Sequence, residues 1–519
     1  MSTRSLPQPP ADGAAAFSVR RRWASLAVLS ASLLVVTMDM TILNVALPEL
    51  AADLRPTAEQ QLWIVDVYSL VLAGLLVSMS TLGDRWGRKK LLLAGFAVFG
   101  GASLLVLAAD SPAVVIAVRA LLGVGGAMVM PATLSMIRTV FSDPAERATA
   151  LAVWAAVSSL GAAVGPIVGG LLLEYSSWHA GFLVNVPLML AALVAGAVLL
   201  PDARDPNPGR WDVPAVVASI VGMTALVWSI KRFAKAGIAD AAAIAVLALA
   251  LAVLVWFVLR CLRRPDPLLD VRLFTRAPFT AGSLTAMASM FAMAALLLLV
   301  AQWLQLVEGH SPLSAGVHLL PMAVAAVVVS PMAPALARLV GARTVLAGGL
   351  AVAAVGFLLL FAAPGELTYP VVLVALALLG GGSGSLAIAS AIIMSGTPPE
   401  KAGNAAAIEE TSYDLGNVLG VAVLGSFAAA AYRSVLGPDL LVGDHLLTEE
   451  DTYRVHESLG GALGFAREIG SPELAGIARQ AFTESLARMG LVGGVVLLAT
   501  AAVVFVLIPK SLDLNEQQH

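Results

Sequence analysis

The chain has 519 residues, of which 59% are hydrophobic and 13% are charged. Soluble globular domains carry about 25% charged residues, so this composition excludes an ordinary soluble protein and indicates a polytopic membrane protein. The net charge of −3 says little about partners, because the placement of charges matters more than their sum in a membrane protein. Cys261 is the single cysteine, which excludes an intrachain disulfide.

The chain begins with a polar segment, residues 1–22, that ends in Arg20, Arg21 and Arg22. The apolar run that follows is too long for a cleaved signal peptide, and we expect it to remain as a signal anchor. Apolar windows long enough to span a bilayer predict fourteen transmembrane helices. These windows lie near residues 24–48, 62–82, 91–109, 113–137, 149–173, 180–200, 213–230, 240–261, 279–307, 313–337, 343–363, 370–394, 403–431 and 488–509.

The distribution of Lys and Arg predicts the orientation. With an even number of spans both termini lie on one side, and a cytoplasmic N-terminus puts most of the 31 Lys and Arg residues in the cytoplasm. We therefore expect the N-terminal tail and the C-terminal tail, residues 510–519, to be cytoplasmic. One hairpin departs from this rule, because Lys231, Arg232 and Lys235 fall on the predicted outer side between spans seven and eight. Either this helix pair inserts shallowly or its boundaries differ from the windows above.

Two parts of the chain repeat each other. Leu-Leu-Gly ending at Gly123 leads through a helix to PAERA at residues 144–148, and Leu-Leu-Gly ending at Gly380 leads to PPEKA at residues 398–402. Parallel repeats of six spans are common in secondary transporters, with the substrate between the halves near the middle of the membrane. The prediction is an all-α membrane fold of two six-helix bundles, residues 23–200 and 277–509, separated by two inserted helices within residues 201–276.

Residues 433–487 form the one long hydrophilic loop, inside the second bundle. Apolar residues at helical spacing lie on both sides of a break at Ser471 and Pro472, which predicts an extracellular hairpin of two amphipathic helices. A disordered loop is the alternative, and the regular spacing of Leu459 and Leu463 argues against it.

Span thirteen carries carboxylates at Glu409, Glu410 and Asp414. An ionised carboxylate at mid-membrane costs roughly 2.5–3.5 kcal/mol, so three of them in two turns indicate a function. At 100° per residue, Glu410, Asp414 and Asn417 fall on one stripe of the helix. Glu409 and Tyr413 fall on the adjacent stripe. We therefore expect these side chains to face the interior of the bundle rather than lipid.

Two motifs contain glycines. The loop after span two, STLGDRWGRKK, places cations at the cytoplasmic interface; positive-inside anchoring explains the cations but not the acid or the glycines. We interpret it as a charge contact between helices, made by Asp84, Arg85, Gly87 and Arg88. Span five carries small residues four apart and a proline, which let backbones touch and allow a bend. That stripe consists of Gly161, Gly165, Pro166, Gly169 and Gly170, and helix packing and a mechanistic role explain it equally well.

The sequences DRWGRKK after span two, RALLGVGGA in span four, GAAVGPIVGG in span five and MDMTILNVALP in span one together resemble the major facilitator superfamily. They are similar to its fourteen-helix drug:proton antiporter branch. AGNAAAIEETSYDLGNVLGVAVLGS in span thirteen and the tail LIPKSLDL resemble the quaternary ammonium compound efflux pumps of that branch. The resemblance covers nearly the whole chain.

This resemblance implies alternating access and multidrug efflux, with lipophilic cations leaving the cytoplasm in exchange for protons across a bacterial-type plasma membrane. GPIVGG matches the family's antiporter motif. The acids that match those used by the family are Asp39, Asp66, Glu409, Glu410 and Asp414.

The chain also departs from the family's pattern. Ser80 replaces the usual Gly at the start of the cytoplasmic loop motif, and Arg338 in the second copy stands where an acid is expected. Leu122 replaces a polar residue in span four. Ala326 occupies a position where relatives that handle dications place an Asp, which favours monovalent over divalent cargo.

The chain contains no Gly-Lys dipeptide, so a phosphate-binding loop is absent and we expect a proton gradient, not ATP, to drive transport. Our hypothesis is that Arg119 and either Asp39 or Asp66 form a proton-responsive pair. Glu410 then faces the cationic drug, and proton and drug compete for overlapping carboxylates. Candidate aromatic walls for such a cation are Trp63, Tyr68 and Tyr413; Trp63 is equally well explained as an interfacial anchor.

Plainer roles remain open for the acids. They can form structural ion pairs, although Arg119 is the one cation predicted within the membrane for five carboxylates. Asp66 can lie at the interface instead of in the membrane, and Glu409 can be protonated and hydrogen-bonded for packing.

Other functions remain open as well. A proton-driven exporter of an amphipathic metabolite, a lipid or a self-made antibiotic is the nearest alternative. The scattered histidines contain no H-E-x-x-H pair, which disfavours an enzyme. The expected partners are small lipophilic cations, protons and the lipid bilayer; we expect a monomer with no cofactor, no metal and no nucleic acid.

Overall fold

The computed structural model describes residues 18–141, 143–202, 212–237, 239–264, 267, 269–363, 367–395, 402–437, 441–442, 445–446 and 449–509. Helices dominate this part of the chain. Its strands are β1 (Leu441–Val442) and β2 (His445–Leu446), which pair antiparallel in one short hairpin. The predicted tails at residues 1–17 and 510–519 lie outside the described residues.

The N-terminal helices, which we call the N half, are α1 (Val19–Leu54), α2 (Ala58–Trp86), α3 (Arg88–Leu105, followed by a 3₁₀ turn at Val106–Ala108), α4 (Pro112–Val140), α5 (Pro144–Tyr175), α6 (Ala180–Leu183) and α7 (Asn185–Leu199). The inserted pair is α8 (Val213–Ala236) and α9 (Ala241–Arg263), followed by a 3₁₀ turn at Val271–Thr275.

The remaining helices, which we call the C half, begin with α10 (Ala277–Gln302), which ends in a π-helical turn at Trp303–Val307. They continue with α11 (Pro312–His318), α12 (Leu320–Val329), a 3₁₀ turn at Ser330–Met332, α13 (Ala333–Val340), α14 (Ala342–Ala362), α15 (Tyr369–Ser383), α16 (Leu386–Ser395), α17 (Ala402–Gly420), a π-helical turn at Val421–Gly425, α18 (Ser426–Leu436), α19 (Glu449–Glu457), α20 (Leu459–Glu468) and α21 (Pro472–Leu507).

Short polar side chains begin several of these helices. Thr57 and Gln60 form a capping box at the start of α2, in which each side chain accepts a hydrogen bond from the other residue's backbone N–H. Asp143 accepts from the backbone N–H of Glu146 at 2.9 Å and begins α5 in the same way. These bonds satisfy backbone donors that the first helical turn leaves unpaired.

Twelve helical segments of the described chain are long and apolar enough to cross a membrane. Two long helices fall outside that set: α2 has 29 residues and α5 has 32. The described end of α5 contributes a shorter apolar segment, Leu160–Tyr175. The all-helical membrane architecture is therefore confirmed, whereas fourteen spans remains a prediction.

Glycines set the closest helix contacts, and these contacts occur twice in the chain. A Cβ on Gly165 of α5 would lie 2.9 Å from the carbonyl oxygen of Met38 in α1, so that only glycine fits. A Cβ on Gly420 of α17 would lie 2.9 Å from the Cα of Phe291 in α10. Span five thus packs on span one as span thirteen packs on span nine, with backbones in contact as small residues allow.

The two halves touch at one end of the bundle, which we call the loop end because α19 and α20 lie there. Gln305 of the C half donates to the carbonyl oxygen of Val45 at 3.0 Å. A Cβ on Gly170 would lie 2.5 Å from the Cα of Leu313, and a Cβ on Gly316 would contact the carbonyl oxygen of Pro166. Gly170 of α5 and Gly316 of α11 therefore let the halves approach closely at this end.

The long hydrophilic segment differs from the expected helical hairpin. It contains β1, β2 and two short helices, α19 and α20. The break at Ser471 is present, because the Ser471 side chain caps α21 and Gly470 has a positive φ of 66°. The second amphipathic stretch is not a separate helix, since α21 runs without interruption from Pro472 to Leu507.

Candidate transport site

Asp39 of α1 is held by two donors inside the N half. Its Oδ2 atom lies 2.7 Å from Nη1 of Arg119 in α4, and each side chain is 2% exposed. Its Oδ1 atom accepts from Nδ2 of Asn185 in α7 at 2.7 Å. The structure therefore selects Asp39 rather than Asp66 as the partner of Arg119. The sequence analysis missed Asn185, which is recognisable only as an isolated amide in an apolar helix.

Arg119 connects this pair to α2. Its Nε donates to the carbonyl oxygen of Ile64 at 3.2 Å, and its guanidinium lies 4.5 Å from the centroid of the Tyr68 ring. The Tyr68 hydroxyl donates to the carbonyl oxygen of Val36. Tyr68, predicted as a wall for cargo, is fully buried and packs against Arg119, so it lines no open surface in this conformation.

Asp66 forms a second buried ion pair, with Lys231 of the inserted helix α8. Lys231 Nζ lies 2.9 Å from Asp66 Oδ2, and each side chain is 1% exposed. The Trp63 ring centroid lies 4.1 Å from the same nitrogen. The expectation that Arg119 is the one cation within the membrane was wrong, because Lys231 lies in the apolar span Val213–Phe233. The interfacial position of Asp66 stays a prediction. Trp63, a predicted wall for cargo, is half-buried and contacts this internal cation.

The boundaries of α8 explain the error. The predicted span ended near residue 230, but α8 continues to Ala236 and stops at Gly237, whose φ of 87° suits glycine. Lys231 therefore lies on the helix face that meets α2. Arg232 lies 3.3 Å from Asp240, the N-cap of α9. Both cations are therefore paired; the side chain of Lys235 lies outside the described residues.

The acids of the C half have different surroundings. Glu409 is 6% exposed and accepts a hydrogen bond of 2.8 Å from the hydroxyl of Tyr413, one turn away. Asp414 is buried, and its Oδ2 atom has no hydrogen-bond partner among the described residues. Glu410 and Asn417 are half-buried on the same stripe. Glu409 and Tyr413 thus engage each other, whereas one oxygen of Asp414 on the other stripe is left without a hydrogen bond in the part of the chain that the structure describes.

The turn between α2 and α3 needs its glycine. Gly87 has φ 111° and ψ 127°, a region that side chains with a Cβ rarely occupy. Gly341, between α13 and α14, repeats this with φ 86°. Arg88 donates to Oγ1 of Thr139 at 3.1 Å and so joins α3 to α4, while Arg85 is exposed. The side chains of Asp84 and Ser80 lie outside the described residues.

A cavity of about 60 Å³ lies between the halves at the loop end. None of the five acids lines it, and drug-sized sites usually measure about 300–1,000 Å³. It is therefore a packing gap rather than the cargo site. Its wall includes Leu47, Gln61, Leu62, Gln302, Tyr432 and Phe482.

Comparisons with known proteins agree with this architecture. The family model described as Major Facilitator Superfamily matches residues 29–421. A solved bacterial homolog of the human lysosomal transporter Spinster, in an inward-facing and unoccupied conformation, is similar in fold with a TM-score of 0.66 at 16% identity, covering 95% of this chain and 98% of that one.

Curated relatives are similar over nearly their whole length. The multidrug efflux pump LfrA of Mycolicibacterium smegmatis is 42% identical over 93% of this chain and 96% of its own. The methyl viologen resistance protein SmvA of Salmonella typhimurium is 37% identical over 86% and 90%. The tetracenomycin C resistance and export protein of Streptomyces glaucescens is 32% identical over 93% and 91%. With these relatives and the family model, the chain belongs to the major facilitator superfamily, a family of membrane transporters, beside its drug efflux pumps.

Proposed function

We propose that this protein is a proton-coupled multidrug antiporter that exports lipophilic, mostly monovalent organic cations, quaternary ammonium compounds and dyes among them. It works by alternating access, as a monomer in a bacterial-type plasma membrane with both termini cytoplasmic. Fourteen spans, arranged as six, two and six, and a proton gradient in place of ATP belong to the same proposal.

One asymmetry carries this proposal. Each of the two buried acids described in the N half has an internal cation: Asp39 has Arg119, and Asp66 has Lys231. Among the described residues, no Lys or Arg forms an ion pair with Glu410 or Asp414 of the C half. Buried carboxylates without a countercharge are costly in the membrane. A cationic cargo supplies the missing charge when it binds beside α17.

The paired acids suit proton coupling. If Asp39 takes a proton, its attraction for Arg119 falls, and the contacts that Arg119 makes with Ile64 and Tyr68 of α2 are free to change. One proton crossing a potential of 100 mV releases about 2.3 kcal/mol, enough to drive a useful concentration ratio. Asp39 and Arg119 therefore act on the proton, and Glu410 with Asp414 on the cargo, with Tyr68 between the two sites.

The direct test uses purified protein in liposomes with an imposed pH gradient and tetraphenylphosphonium as a monovalent lipophilic cation. We expect gradient-driven accumulation by the intact protein and its collapse with an uncoupler. Asp39→Asn should abolish accumulation but keep exchange of bound cation, whereas Glu410→Gln should weaken cation binding itself.

The matched control is Glu473→Gln, which removes the same charge at an exposed position in the first turn of α21. It should transport like the intact protein. Full activity of both Asp39→Asn and Glu410→Gln would contradict the proposal, since neither acid would then act on proton or cargo.

A second candidate is export of a natural product or another amphipathic metabolite. It is supported by relatives named for tetracenomycin C export, puromycin resistance and, as probable, actinorhodin transport. Another relative is named for methyl viologen resistance. Methyl viologen is a dication, and it should be tested as a substrate together with these natural products. Transport of a neutral aromatic antibiotic with no tetraphenylphosphonium transport would favour this second function.

A further inference from the structure

The inserted helix α8 contacts both halves where they meet. Val227 is fully buried in a cluster with Leu70 of α2 in the N half and with Val418 and Ala422 of the C half. α8 also packs on α18. Any motion that separates the halves at the loop end must therefore detach α8 from one of them. One of the contacts between α8 and the N half is ionic, the pair of Lys231 with Asp66 of α2.

The ion pair between Lys231 and Asp66 holds α8 to the N half, but it is poorly supported. Beyond their own contact of 2.9 Å, neither the Lys231 ammonium nor the Asp66 carboxylate has a further hydrogen-bond partner among the described residues. A buried pair repays its desolvation only when further hydrogen bonds complete it. This pair lacks them, in contrast to Asp39 with its two donors, so less free energy is needed to separate it.

A narrow crevice of about 20 Å³, the space of about one water molecule, runs from Lys231 toward the loop end. Ser426 on its wall is buried with an unsatisfied hydroxyl. Its charged wall residues are Lys231, Glu59 of α2, Arg433 of α18 and Glu457 of α19. Glu457 accepts from the backbone N–H of Ala58 at 2.9 Å. Two carboxylates thus offer the Lys231 ammonium an alternative site, with Arg433 as the like charge nearby.

We propose that Lys231 is a tethered cation that occupies Asp66 in this conformation and leaves it for the Glu59 and Glu457 side of the crevice when Asp66 takes a proton. The proton adds to the carboxylate, and the ammonium keeps its own charge and moves. Protonation of Asp66 thereby releases α8 from the N half. The inserted helices are then part of the coupling machinery rather than a spacer, an inference that rests on the proposed proton coupling.

Amine labelling tests the movement without any transport. In the intact protein, Lys231 should react slowly with a water-soluble acetylating reagent, because its side chain is 1% exposed. In Asp66→Asn, which imitates the protonated acid, labelling measured by mass spectrometry should rise about tenfold, a change of about 1.4 kcal/mol in its exposure equilibrium. Exposed Lys90 serves as an internal reference. Unchanged labelling of Lys231 would overturn the proposal.

Transport measurements distinguish a role of this ion pair in proton coupling from a purely structural role. A neutral pair in place of a buried ion pair is usually tolerated, so Asp66→Asn/Lys231→Met should fold and keep exchange of tetraphenylphosphonium across the membrane. Its accumulation driven by the pH gradient should fall about tenfold or more. Lys231→Arg, which keeps the charge, should retain most of that accumulation.

The matched control is Arg232→Met/Asp240→Asn, which neutralises the neighbouring pair between α8 and α9 and leaves the N half untouched. It should accumulate cation normally. Full gradient-driven accumulation by the neutral Asp66 and Lys231 double variant would mean a purely structural pair and would overturn the inference, while the proposed function would stand. An intact protein that does not accumulate the cation would instead count against the proposed function, and the labelling result would still decide the movement of Lys231.

Discussion

Arg119 of α4 donates a 2.7 Å hydrogen bond to Oδ2 of Asp39 in α1, and each side chain is 2% exposed. This contact ties three helices together, because Arg119 also donates to the carbonyl oxygen of Ile64 in α2. Asn185 of α7 adds a fourth through the second oxygen of Asp39. The centre of the N half is therefore a polar cluster, and its stability depends on keeping the charges matched.

Removing one charge of this pair should lower the stability of the protein far more than removing both charges. We expect Arg119→Met to lower the free energy of unfolding by about 3–5 kcal/mol, because the Asp39 carboxylate stays buried without its cation. The double variant Asp39→Asn/Arg119→Met should lose much less unfolding free energy. Thermal unfolding in detergent measures both. As a control, Arg488→Met breaks an exposed pair with Glu484 and should cost less than about 1 kcal/mol; equal losses in all three variants would contradict this account.

The effect of replacing a helical glycine with alanine should depend on the atoms that the new methyl group would meet. Gly165→Ala places a methyl group against Thr41 and 2.9 Å from the carbonyl oxygen of Met38, so α1 and α5 must separate and transport should fall. Gly101→Ala on α3 meets nothing within 4 Å and should be neutral or stabilise the helix by up to about 1 kcal/mol. Yield, thermal stability and transport of the two variants test this, and a harmless Gly165→Ala would refute the close packing.

The two turn glycines should be equally intolerant of a side chain. Gly87→Ala and Gly341→Ala force a Cβ into φ values of 111° and 86°, which costs of order 1–3 kcal/mol. We expect both variants to unfold at lower temperature. Gly348→Ala is the reference, since it lies within α14 with nothing within 4 Å, and it should not be destabilised. Loss in one turn variant alone would argue that the turns are not equivalent.

The adjacent glutamates of α17 should behave differently. Glu409 is engaged by Tyr413 at 2.8 Å, so Tyr413→Phe removes one hydrogen bond and should change stability by about 1 kcal/mol with little effect on cation affinity. Glu410→Gln should weaken tetraphenylphosphonium binding about tenfold, because it removes an uncompensated charge. Binding measured by fluorescence or calorimetry distinguishes the two. Comparable effects of Tyr413→Phe and Glu410→Gln on affinity would show that this division is wrong.

Asp212 should make the inserted pair sensitive to acid. Burial acts to raise the pKa of Asp212, but hydrogen bonds from Arg260 and from the backbone N–H of Ala215 outweigh it and hold the pKa below its usual 3.8. Because the folded state favours the ionised form, this stabilisation is complete above about pH 4 and is lost as the pH falls through the lowered value. Asp212→Asn should remove that part of the pH dependence of thermal unfolding below about pH 4; an unchanged profile would contradict it.

The sequence determined the membrane class and the family, and it showed which apolar helices carry acids. An apolar composition leaves no soluble alternative, and a carboxylate in an apolar helix is conspicuous because its insertion is costly. The four-residue spacing of Gly161 and Gly165 also predicted close packing, since residues four apart share a helix face. Such local patterns are visible in one chain because they depend only on neighbours along a single helix.

Which partner each side chain meets was decided by the tertiary structure alone. Helical periodicity shows that Glu410 and Asp414 share one stripe, but not that Arg119 reaches Asp39 or that Lys231, predicted in an outer loop, reaches Asp66. The reason is geometric: the face of a helix is set by its own 100° steps, whereas the helix opposite that face is set by how all the helices pack, and one further turn of α8 moves a cation from the surface into the interior.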